Sequence, residues 1–541
     1  MRLKRVERAA CVLALMHAVS CAPQSPNDEV GHLTSSDKAF TGYTLFAPCI
    51  DTTTYLIDMD GHLVHCWESG YEPAQSAYLL ENGHLLRTAA STGPGNKVFH
   101  GGGAGGRVEE FSWDGQLVWT FEYASEAHLL HHDIEPLPNG NVLMIAWERK
   151  SAEEAVAAGR DPALQGDDDL WCDCVIEVEP TPPEGGRVVW KWHAWDHLVQ
   201  NRDPDKPNYA EPSERPERID VNWADWVESL TDEQREQLEA VGYLATAQRP
   251  QHRHRNPDWT HTNSVAYNPA LDQIVLSVLG FNEIWIIDHS TSTEEAGGRT
   301  GGRSGKGGDL LYRWGNPRAY GRGGPEHQQS FAQHDARWIA GTSKGSGNIL
   351  IFNNGRGRSD GDYSSVDEIA PPLDEEGRYA CKSHAPFGPD RPVWTYRAET
   401  KEEFYSDHIS GAQRLPDGNT LICSGVQGQF FEVTPEGEKV WEYVSPIFSR
   451  HRPGPPGGPG GPRGLVGRHQ PPPRPPGRPG GGGPMRDVFR AYRYGPDYPG
   501  FADKDLTPGP AIARKEVAGP RPRGMRATGS RRNRPAVAGN P

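Results

Sequence analysis

The feature that most constrains the fold of this chain is a pair of hairpin patterns that alternate along its length. In the first pattern, alternating apolar and polar residues run into a Gly turn that is followed by a second strand. It occurs as QSAYLLENGHLL from Gln75, HDIEPLPNGNVL from His132 and SGAQRLPDGNTL from Ser410, with looser copies from Asn263 and His334. Asn-Gly and Asp-Gly between alternating apolar runs are strong hairpin signals. The chain is therefore predicted to be rich in antiparallel sheet.

The second pattern is an alternating strand, an acidic turn and a strand that ends in Trp. Clear copies are VEEFSWDGQLVWTFEY from Val108, VIEVEPTPPEGGRVVWKW from Val175 and FFEVTPEGEKVWEY from Phe430. With three divergent copies, the closing tryptophans are Trp67, Trp119, Trp190, Trp314, Trp394 and Trp441. Two hairpins make a four-stranded sheet, and radial packing of such sheets protects their edges. We predict an all-β protein, a six-bladed β-propeller with four-stranded blades. Two separate β-sandwiches, the alternative, would not explain the alternation.

The chain divides into one repeat domain and several segments without the repeat. The propeller is expected over residues 40–448, and Phe40 to Pro48 is the candidate for a pair of strands that the first pattern lacks. Residues 195–258 are a polar insertion in which Leu230 to Leu244 is predicted to be a helix with Thr231 as N-cap. The other segments are a leader at 1–21, a linker at 22–39, a disordered Pro/Gly/Arg-rich linker at 449–484, an aromatic segment at 485–510 that docks on the propeller, and a disordered tail at 511–541.

The N-terminus is typical of an export signal. Basic residues precede a short apolar stretch, and Ala18-Val19-Ser20-Cys21 resembles a lipobox with Cys21 as the lipidated residue. An ordinary signal peptide is the alternative. We expect an exported protein of the periplasm or outer cell envelope, attached to the membrane through a lipid anchor.

Charge and cysteine content narrow the classes of partner and cofactor. The net charge of −16 gives no reason to expect a nucleic-acid partner. Cys172-Asp173-Cys174 is too tight for an ordinary disulfide bridge, and the paired CxxC spacing of a zinc site is not found. No metal site is predicted from the cysteines.

In a β-propeller the innermost strand of each blade lines a central channel, and the first pattern is expected to supply that strand. When its copies are aligned on the Gly turn, one aligned position holds a polar residue in every copy. These residues are Gln75, His132, Asn263, His334 and Ser410. Alternation places His261 and His408, two residues earlier, on the same face. We expect these four histidines, with the asparagine and the serine, to converge at one end of the channel. His131 lies nearby but should face away from the channel, and Asp133 and Asp335 should also point the other way.

Three kinds of chemistry fit such a ring of histidines. Metal binding would usually add carboxylates or a His-x-His pair on one face. Nucleophilic catalysis would use a neutral imidazole, with cationic or amide groups to hold the developing charge. The third possibility is a non-catalytic pocket for an anion or another ligand.

Three segments of this chain resemble the bacterial arylsulfate sulfotransferases, which are exported six-bladed propellers that need no nucleotide sulfate donor. The resemblance covers residues 40–448 and is carried by His131-His132-Asp133-Ile134, by Asp258-Trp-Thr-His261-Thr-Asn263-Ser-Val and by Gln333-His334-Asp335-Ala336. It implies transfer of a sulfuryl group from an aryl sulfate to a phenol through a sulfohistidine, without a cofactor.

The resemblance also implies roles for individual residues. By position, His334 would be the nucleophile. His132 and His261 would hold sulfate oxygens or protonate the departing phenolate oxygen, and Asn263 would donate to a sulfate oxygen. Further candidate substrate-binding residues are His408, Ser410 and His131.

One departure from the family pattern concerns an arginine. The family carries it shortly after the Asn-Ser-Val strand, and the aligned position in this chain is Leu279. An oxyanion site that loses one donor commonly loses about 10²–10³ in rate. Arg313 and Arg337 are candidate replacements. Two alternatives to a sulfotransferase therefore stay open: a related His-site hydrolase or transferase acting on another anionic ester, and a non-catalytic envelope propeller that binds ligands.

Overall fold

The computed structural model describes residues 29–91, 98–99, 101–224, 257–339, 341, 343–450 and 484–517. The predicted leader with Cys21, the predicted helix from Leu230 to Leu244, most of the Pro/Gly/Arg-rich linker and residues 518–541 of the tail lie outside these ranges. The described residues form an all-β structure of several four-stranded antiparallel sheets, with only three short α-helices.

The structure is built from six sheets, whose strands are given below in the order in which they are hydrogen-bonded. The first strand of each sheet packs on the neighbouring sheets, and we call it the inner strand. Sheet I contains β29 (Val488–Tyr494), β2 (Tyr43–Pro48), β3 (Thr53–Ile57) and β4 (Leu63–Glu68). Sheet II contains β5 (Pro73–Leu79), β6 (Leu85–Ala90), β7 (Gly106–Phe111) and β8 (Leu117–Glu122). Sheet III contains β9 (His128–Pro136), β10 (Val142–Lys150), β11 (Leu170–Pro180) and β12 (Gly186–His193).

The other three sheets follow the same plan. Sheet IV contains β15 (Thr262–Asn268), β16 (Gln273–Val278), β17 (Glu283–Asp288) and β18 (Tyr312–Trp314). Sheet V contains β19 (His334–Trp338), β20 (Ile349–Asn353), β21 (Ser365–Ile369) and β22 (Trp394–Tyr396). Sheet VI contains β23 (Gly411–Arg414), β24 (Thr420–Ser424), β25 (Gln429–Val433), β26 (Lys439–Val444) and β1 (Gly31–Ser35).

Short elements lie outside these sheets. They are the helices α1 (Ala152–Ala157), α2 (Pro162–Gln165) and α3 (Thr293–Ala296), the parallel pair β13 (Leu198–Val199) and β14 (Ile219–Asp220), and the strands β27 (Ile447–Arg450), β28 (Pro484–Met485) and β30 (Lys515–Val517). Strand β27 pairs with both β28 and β30, so ordered structure continues past the predicted domain boundary at 448 and into the predicted tail. None of the helices in the described ranges is long and apolar enough to cross a membrane.

The first strands of the six sheets contact one another in sequence. Contacts run from β29 to β5, β9, β15, β19 and β23, and then return to β29. A separate apolar cluster fills the junction between each pair of neighbouring sheets; that between sheets II and III, for example, contains Val108 and Met144. Strand β29 comes from the C-terminal segment, so the region Phe40 to Pro48 supplies one strand of sheet I, β2, and its inner neighbour comes from far along the chain.

The six closing tryptophans link the sheets at their outer strands. Each indole N–H donates to the next sheet, and the sixth bond returns to sheet I. The bonds are Trp67 to Ser112 O (3.0 Å), Trp119 to Gly185 O (2.7 Å), Trp190 to Thr291 Oγ1 (3.2 Å), Trp314 to Pro389 O (2.7 Å), Trp394 to Pro435 O (2.8 Å) and Trp441 to Met59 O (2.8 Å). The second sequence pattern thus marks the contacts between sheets as well as the ends of strands.

Candidate active site

The predicted histidines lie within or just before the first half of the inner strands, and the backbone there departs from regular β geometry. The pairing registers of β5, β9, β15 and β19 with their neighbours each shift near these positions. Left-handed backbone dihedrals occur at Gln75, His132, His261, Asp335 and Ser410. Such bulges re-aim side chains at the rim of a sheet. Neighbouring side chains such as His131 and His132 can therefore meet, although strict alternation would keep them apart.

His132 is fully buried and is held by a chain of two hydrogen-bonded side chains. Its Nδ1 lies 2.8 Å from Nδ1 of His131, whose Nε2 lies 3.1 Å from Asp173 Oδ1. The His131 ring stacks on Trp147 with centroids 4.1 Å apart. Alternation predicts that His131 faces away, but the left-handed His132 breaks the alternation and lets the two rings meet. Nε2 of His132 has no hydrogen-bond partner among the described residues.

His261 lies beside His132, and a carboxylate fixes its orientation. The two ring centroids are 4.8 Å apart, and Nδ1 of His261 lies 2.6 Å from Asp258 Oδ2. The other oxygen of Asp258 accepts a hydrogen bond from the Trp147 indole at 2.9 Å. Asp258 therefore holds the His261 proton on Nδ1 and turns Nε2 away from the carboxylate.

His334 begins strand β19, and its neighbours define its tautomer. Its Nδ1 lies 2.7 Å from Asn354 Oδ1 and 3.2 Å from the carbonyl of Ala332. The Asn354 amide nitrogen donates to the carbonyls of Ser406 and Ile409, which leaves its oxygen facing the imidazole. Because both neighbours of Nδ1 are acceptors, Nδ1 carries the proton and Nε2 keeps its lone pair.

Burial keeps His132 and His334 neutral. It is the largest cause that lowers the pKa of each imidazole well below its usual value, because a buried ring loses the hydration of its charged form. His261 lowers the pKa of both rings, and His334 also lowers that of His132. A positive charge on His261 therefore disfavours a positive charge on His132 and on His334.

Asn263 and Ser410 occupy the same end of the inner strands, but their hydrogen bonds are directed at the protein. The Asn263 amide donates to Gln333 O at 2.8 Å, and its Oδ1 has no partner among the described residues. The Ser410 hydroxyl donates to Ser406 Oγ at 2.8 Å and accepts from the Gly425 amide at 2.9 Å. Ser410 therefore fixes the loop before β23.

His408 lies on that loop and differs from the other histidines in its electrostatics. Its Nδ1 lies 2.6 Å from Asp407 Oδ1. Burial lowers the pKa of His408, but Asp407 and the nearby Asp487 outweigh burial, so the pKa is raised. Arg356, whose guanidinium donates to Asp407 O at 3.2 Å, opposes the protonation. A charged imidazole at 408 also lowers the pKa of His334. Asn354 links the His334 ring to the carbonyls of Ser406 and Ile409 on this loop.

An arginine that the sequence pattern does not reveal lies among these groups. Arg490 of β29 donates through Nη1 to Asp133 Oδ2 at 2.7 Å and through Nη2 to Asn263 O at 3.1 Å, and its Nε lies 3.1 Å from Asp335 Oδ1. Its charge lowers the pKa of both His132 and His334. The only sequence signal was the aromatic character of residues 485–510, because β29 carries no copy of either hairpin pattern.

The predicted replacements for the family arginine make other contacts. Leu279 is buried, and its amide donates to His261 O at 3.2 Å, so this position supplies no charge to the site. Arg313 lies on the outer strand of sheet IV and forms a buried ion pair with Glu283. Arg337 pairs with Asp335 through its Nε at 3.0 Å.

Two groups of side chains in the described residues have a spacing that could hold a metal ion, and neither group contains a histidine of this cluster. They are Glu148 with Cys174 and His193, and Asp58 with Asp60 and His62. The cluster itself combines neutral imidazoles of defined tautomer with a nearby site for an imidazolium. That combination suits nucleophilic attack on an electrophilic anion.

Comparison with known proteins identifies the family. The arylsulfotransferase (ASST) family model matches residues 35–445, whereas a search of curated proteins gives no match. Among solved structures, a Bacteroides caccae protein of unknown function is 11% identical over 75% of this chain and 94% of that chain, with a TM-score of 0.38. A streptogramin B lyase is 9% identical over 77% and 82% of the two chains, with a TM-score of 0.34. TM-scores this low do not establish a shared fold. The family match spans most of the chain, and it shows that this protein belongs to the arylsulfotransferase family.

Proposed function

We propose that this protein transfers a sulfuryl group from an aryl sulfate to a phenol, with His334 as the nucleophile. One observation carries the proposal. His334 is buried and neutral, and its Nδ1 is held by two acceptors, which leaves a lone pair on Nε2. A neutral imidazole with a fixed tautomer is the state required for nucleophilic attack.

In the first half-reaction, Nε2 of His334 attacks the sulfur of the donor. The N–S bond forms as the bond between sulfur and the aryl oxygen breaks, and the electron pair of that bond leaves with the aryl oxygen. The ring becomes a positively charged N-sulfo imidazole whose Nδ1 proton still faces Asn354 Oδ1, 2.7 Å away. In the second half-reaction a phenol oxygen attacks sulfur, the N–S bond breaks and the neutral ring returns.

His132 and His261 are placed to handle the proton of the phenol. The centroids of the two rings are 4.8 Å apart, and each ring is hydrogen-bonded through Nδ1. Asp258 orients the His261 ring through Nδ1, and we assign His261 as the group that gives a proton to the departing phenolate. The Asp173–His131 pair orients the His132 ring through its Nδ1. The same groups then accept the proton of the incoming phenol.

His408 supplies the positive charge that Leu279 cannot supply. Asp407 and Asp487 favour its imidazolium form, and the Asn354 amide joins His334 directly to the carbonyls on either side of His408. Arg490 adds a second cation, although Asp133 and Asp335 neutralise much of its charge. This arrangement favours an anionic substrate without an arginine at position 279.

The fold that presents this site is, in our proposal, a closed six-bladed β-propeller. The six sheets would be its blades. The cyclic contacts among the inner strands, the six interfacial apolar clusters and the cyclic tryptophan bonds support this arrangement.

The experiment uses the purified full-length protein with a chromogenic aryl sulfate, with and without a phenol. We expect release of the chromogenic phenol to depend on the acceptor, and a donor labelled with ³⁵S to leave label on wild-type protein but not on His334→Gln. His289→Gln is the matched control, because His289 is hydrogen-bonded to Glu177 and Asp272 outside the cluster. No turnover over a broad panel of donors and acceptors would contradict the proposal.

Two outcomes of this assay point to the alternative functions. Hydrolysis of sulfate or phosphate esters without an acceptor would indicate a His-site hydrolase. Ligand binding that survives both His132→Ala and His334→Ala would indicate a non-catalytic binding protein.

We also infer that the protein is exported and lipid-anchored through Cys21. The basic and apolar leader and the lipobox-like sequence support this inference. Labelling of cells with a radioactive fatty acid should mark wild-type protein and not Cys21→Ala. Unlabelled wild-type protein would contradict the anchor.

A further inference from the structure

A second cluster of reactive side chains lies on sheet III, outside the histidine site. It contains Glu148 of β10, Cys174 of β11 and His193 of β12, and one donor atom of each side chain lies within 4.8 Å of the others. His193 Nδ1 lies 2.7 Å from Glu148 Oε2. The proposed sulfuryl transfer uses none of these residues.

The sheet register explains why the three side chains meet. Cys174 is paired with His193 across one strand boundary and with Ala146 across the other. Glu148 is two residues from Ala146, so its side chain lies on the same face as Cys174 and His193. Side chains on one face of neighbouring strands lie about 5 Å apart. The cluster is thus fixed by regular strand pairing rather than by a loop.

We propose that Glu148, Cys174 and His193 form a binding site for zinc or a similar divalent transition-metal ion. Sulfur, imidazole nitrogen and carboxylate oxygen are the three donor types that zinc accepts, and a water molecule can complete a tetrahedral site. A thiolate and a carboxylate would together neutralise the charge of the dication. Magnesium and calcium prefer oxygen ligands only, so the sulfur disfavours them.

The dimensions and access of the cluster suit such an ion. Bonds of about 2.0–2.3 Å in a tetrahedron put donor atoms roughly 3.3–3.8 Å apart. Donor atoms up to 4.8 Å apart would have to approach by about 1 Å. His193 Nδ1 and Glu148 Oε2, 2.7 Å apart, would have to separate by about 0.6 Å. Cys174 is buried, whereas the side chains of Glu148 and His193 remain 19% and 25% exposed, which leaves a route from solvent. The ion would compete with Lys150 for the Glu148 carboxylate, because Lys150 Nζ lies 3.9 Å from Glu148 Oε2.

The ion would join three strands of the sheet whose inner strand carries His131 and His132. Strand β10 pairs with both β9 and β11, so a bridge from β10 to β12 would stiffen the support of His132. The role of the ion would be structural, and it does not depend on the sulfuryl-transfer proposal.

The experiment titrates Co²⁺ and Zn²⁺ into the full-length protein after treatment with a chelator. We expect one ion per chain, a thiolate-to-cobalt charge-transfer band, and a rise in Tm with Zn²⁺. Cys174→Ser should lose the band, and Cys174→Ser and His193→Gln should both lose the rise in Tm.

Two controls separate this site from other thiols and imidazoles. Cys66→Ser removes a half-buried thiol elsewhere, and His289→Gln removes an imidazole that contacts two carboxylates. Both should bind the ion as wild type does. If Cys174→Ser fails to fold, Glu148→Gln tests the same site without altering the thiol, and it should weaken Zn²⁺ binding. Absence of stoichiometric binding by wild type, or a charge-transfer band that persists in Cys174→Ser, would overturn the proposal.

Discussion

At the scale of single residues, the position of His132 depends on a glycine that covers it. Gly103 has a φ of +75°, and its carbonyl accepts a hydrogen bond from the His132 amide at 2.9 Å. A methyl group at position 103 would lie 2.5 Å from the His132 ring, so the ring would have to move. We expect Gly103→Ala to lower kcat/KM for sulfuryl transfer by about 10²-fold, because displacing a catalytic group by 1 Å can cost that much.

Gly115→Ala is the matched control for this substitution. Gly115 has a φ of +76°, and a methyl group there would have no atom within 4 Å. Both variants therefore carry the same backbone strain, but only Gly103→Ala disturbs the imidazole. Steady-state kinetics and thermal unfolding of the two proteins distinguish the effect of backbone strain on stability from the effect of a displaced His132 on activity. Equal losses of activity in both would contradict the placement of His132 in the site.

The raised pKa of His408 predicts a pH dependence. Burial alone would lower this pKa, but Asp407 at 2.6 Å and Asp487 raise it, against the opposing charge of Arg356. Because the ring is charged below its raised pKa and neutral above it, kcat/KM should fall as pH rises through that value. His408→Gln should abolish this alkaline decline and lower activity at the pH values below it. A wild-type pH profile in His408→Gln would exclude a role for its charge.

The raised pKa of His408 also makes the free energy of unfolding depend on pH. A histidine whose folded pKa is raised stabilises the fold below its unfolded value near 6.5, and that contribution disappears as pH rises through the folded pKa. His132 and His334 have the opposite effect. Their lowered pKa values mean that the unfolded chain takes up protons first, so they reduce stability as pH falls below about 6.5.

At the scale of strands and sheets, the repeat was readable from sequence because each hairpin carries its own signal. Turn glycines and closing tryptophans mark the inner and outer hairpins of most sheets. Of the predicted histidines, His334 begins β19 and His261 directly precedes β15, whereas His132 lies within β9 and His408 precedes β23 by three residues. Alternation failed at His131 because the left-handed His132 inserts a bulge. Strand β29 and Arg490 could not be placed from sequence, since pairing over more than 440 residues leaves no local pattern.

Arg490 holds two inner strands through their carboxylates, and this predicts a large effect on stability. Asp133 of β9 and Asp335 of β19 are both buried beside its guanidinium. Arg490→Met would remove the arginine that neutralises Asp133 and would leave Asp335 paired with Arg337. Removing one partner of a buried ion pair costs about 3–5 kcal/mol. We expect a fall of that size in the free energy of unfolding, measured with urea.

The control for Arg490→Met is Arg378→Met. Arg378 is exposed and pairs with Asp374 and Glu376 at the surface. Exposed pairs contribute about 0–1 kcal/mol, so Arg378→Met should unfold nearly as wild type does. Similar losses in the two variants would show that Arg490 is not the link between these strands.

At the scale of the whole molecule, the two ends of the chain meet in sheet I and around β27. Strand β29 pairs with β2, near the N-terminal end of the described chain, and β30 lies parallel to β27. The sequence predicts residues 485–510 as a docked segment, whereas the structure makes part of it the inner strand of a sheet. The C-terminal segment therefore completes the cycle of inner-strand contacts.

This arrangement predicts that residues 451–483 only connect β27 to β28 and do not increase the free energy of unfolding. Arg450 and Pro484 are paired across β27 and β28, so a short loop can join them. Residues 451–483 lie outside the described ranges, and their composition is the basis for the predicted Pro/Gly/Arg-rich linker. Each halving of a loop recovers about 0.6 kcal/mol of closure entropy. Replacing its 33 residues by four Gly/Ser residues is three halvings, so the protein should become roughly 2 kcal/mol more stable.

Truncation after residue 483 should have the opposite effect on stability, although it removes the neighbouring stretch of chain. It deletes β29 and with it Arg490, which exposes the edge of β2 and removes the cation that neutralises the buried Asp133. Urea unfolding and the aryl sulfate assay on the two proteins distinguish the contribution of residues 451–483 from that of strand β29. Loss of activity in the loop replacement would contradict the connecting role of 451–483. Cooperative unfolding of the truncated chain with wild-type stability would contradict the closing role of β29. A stable, active loop replacement beside an unfolded truncation would show that the last described segment completes both the ring of inner strands and the charge around the histidines.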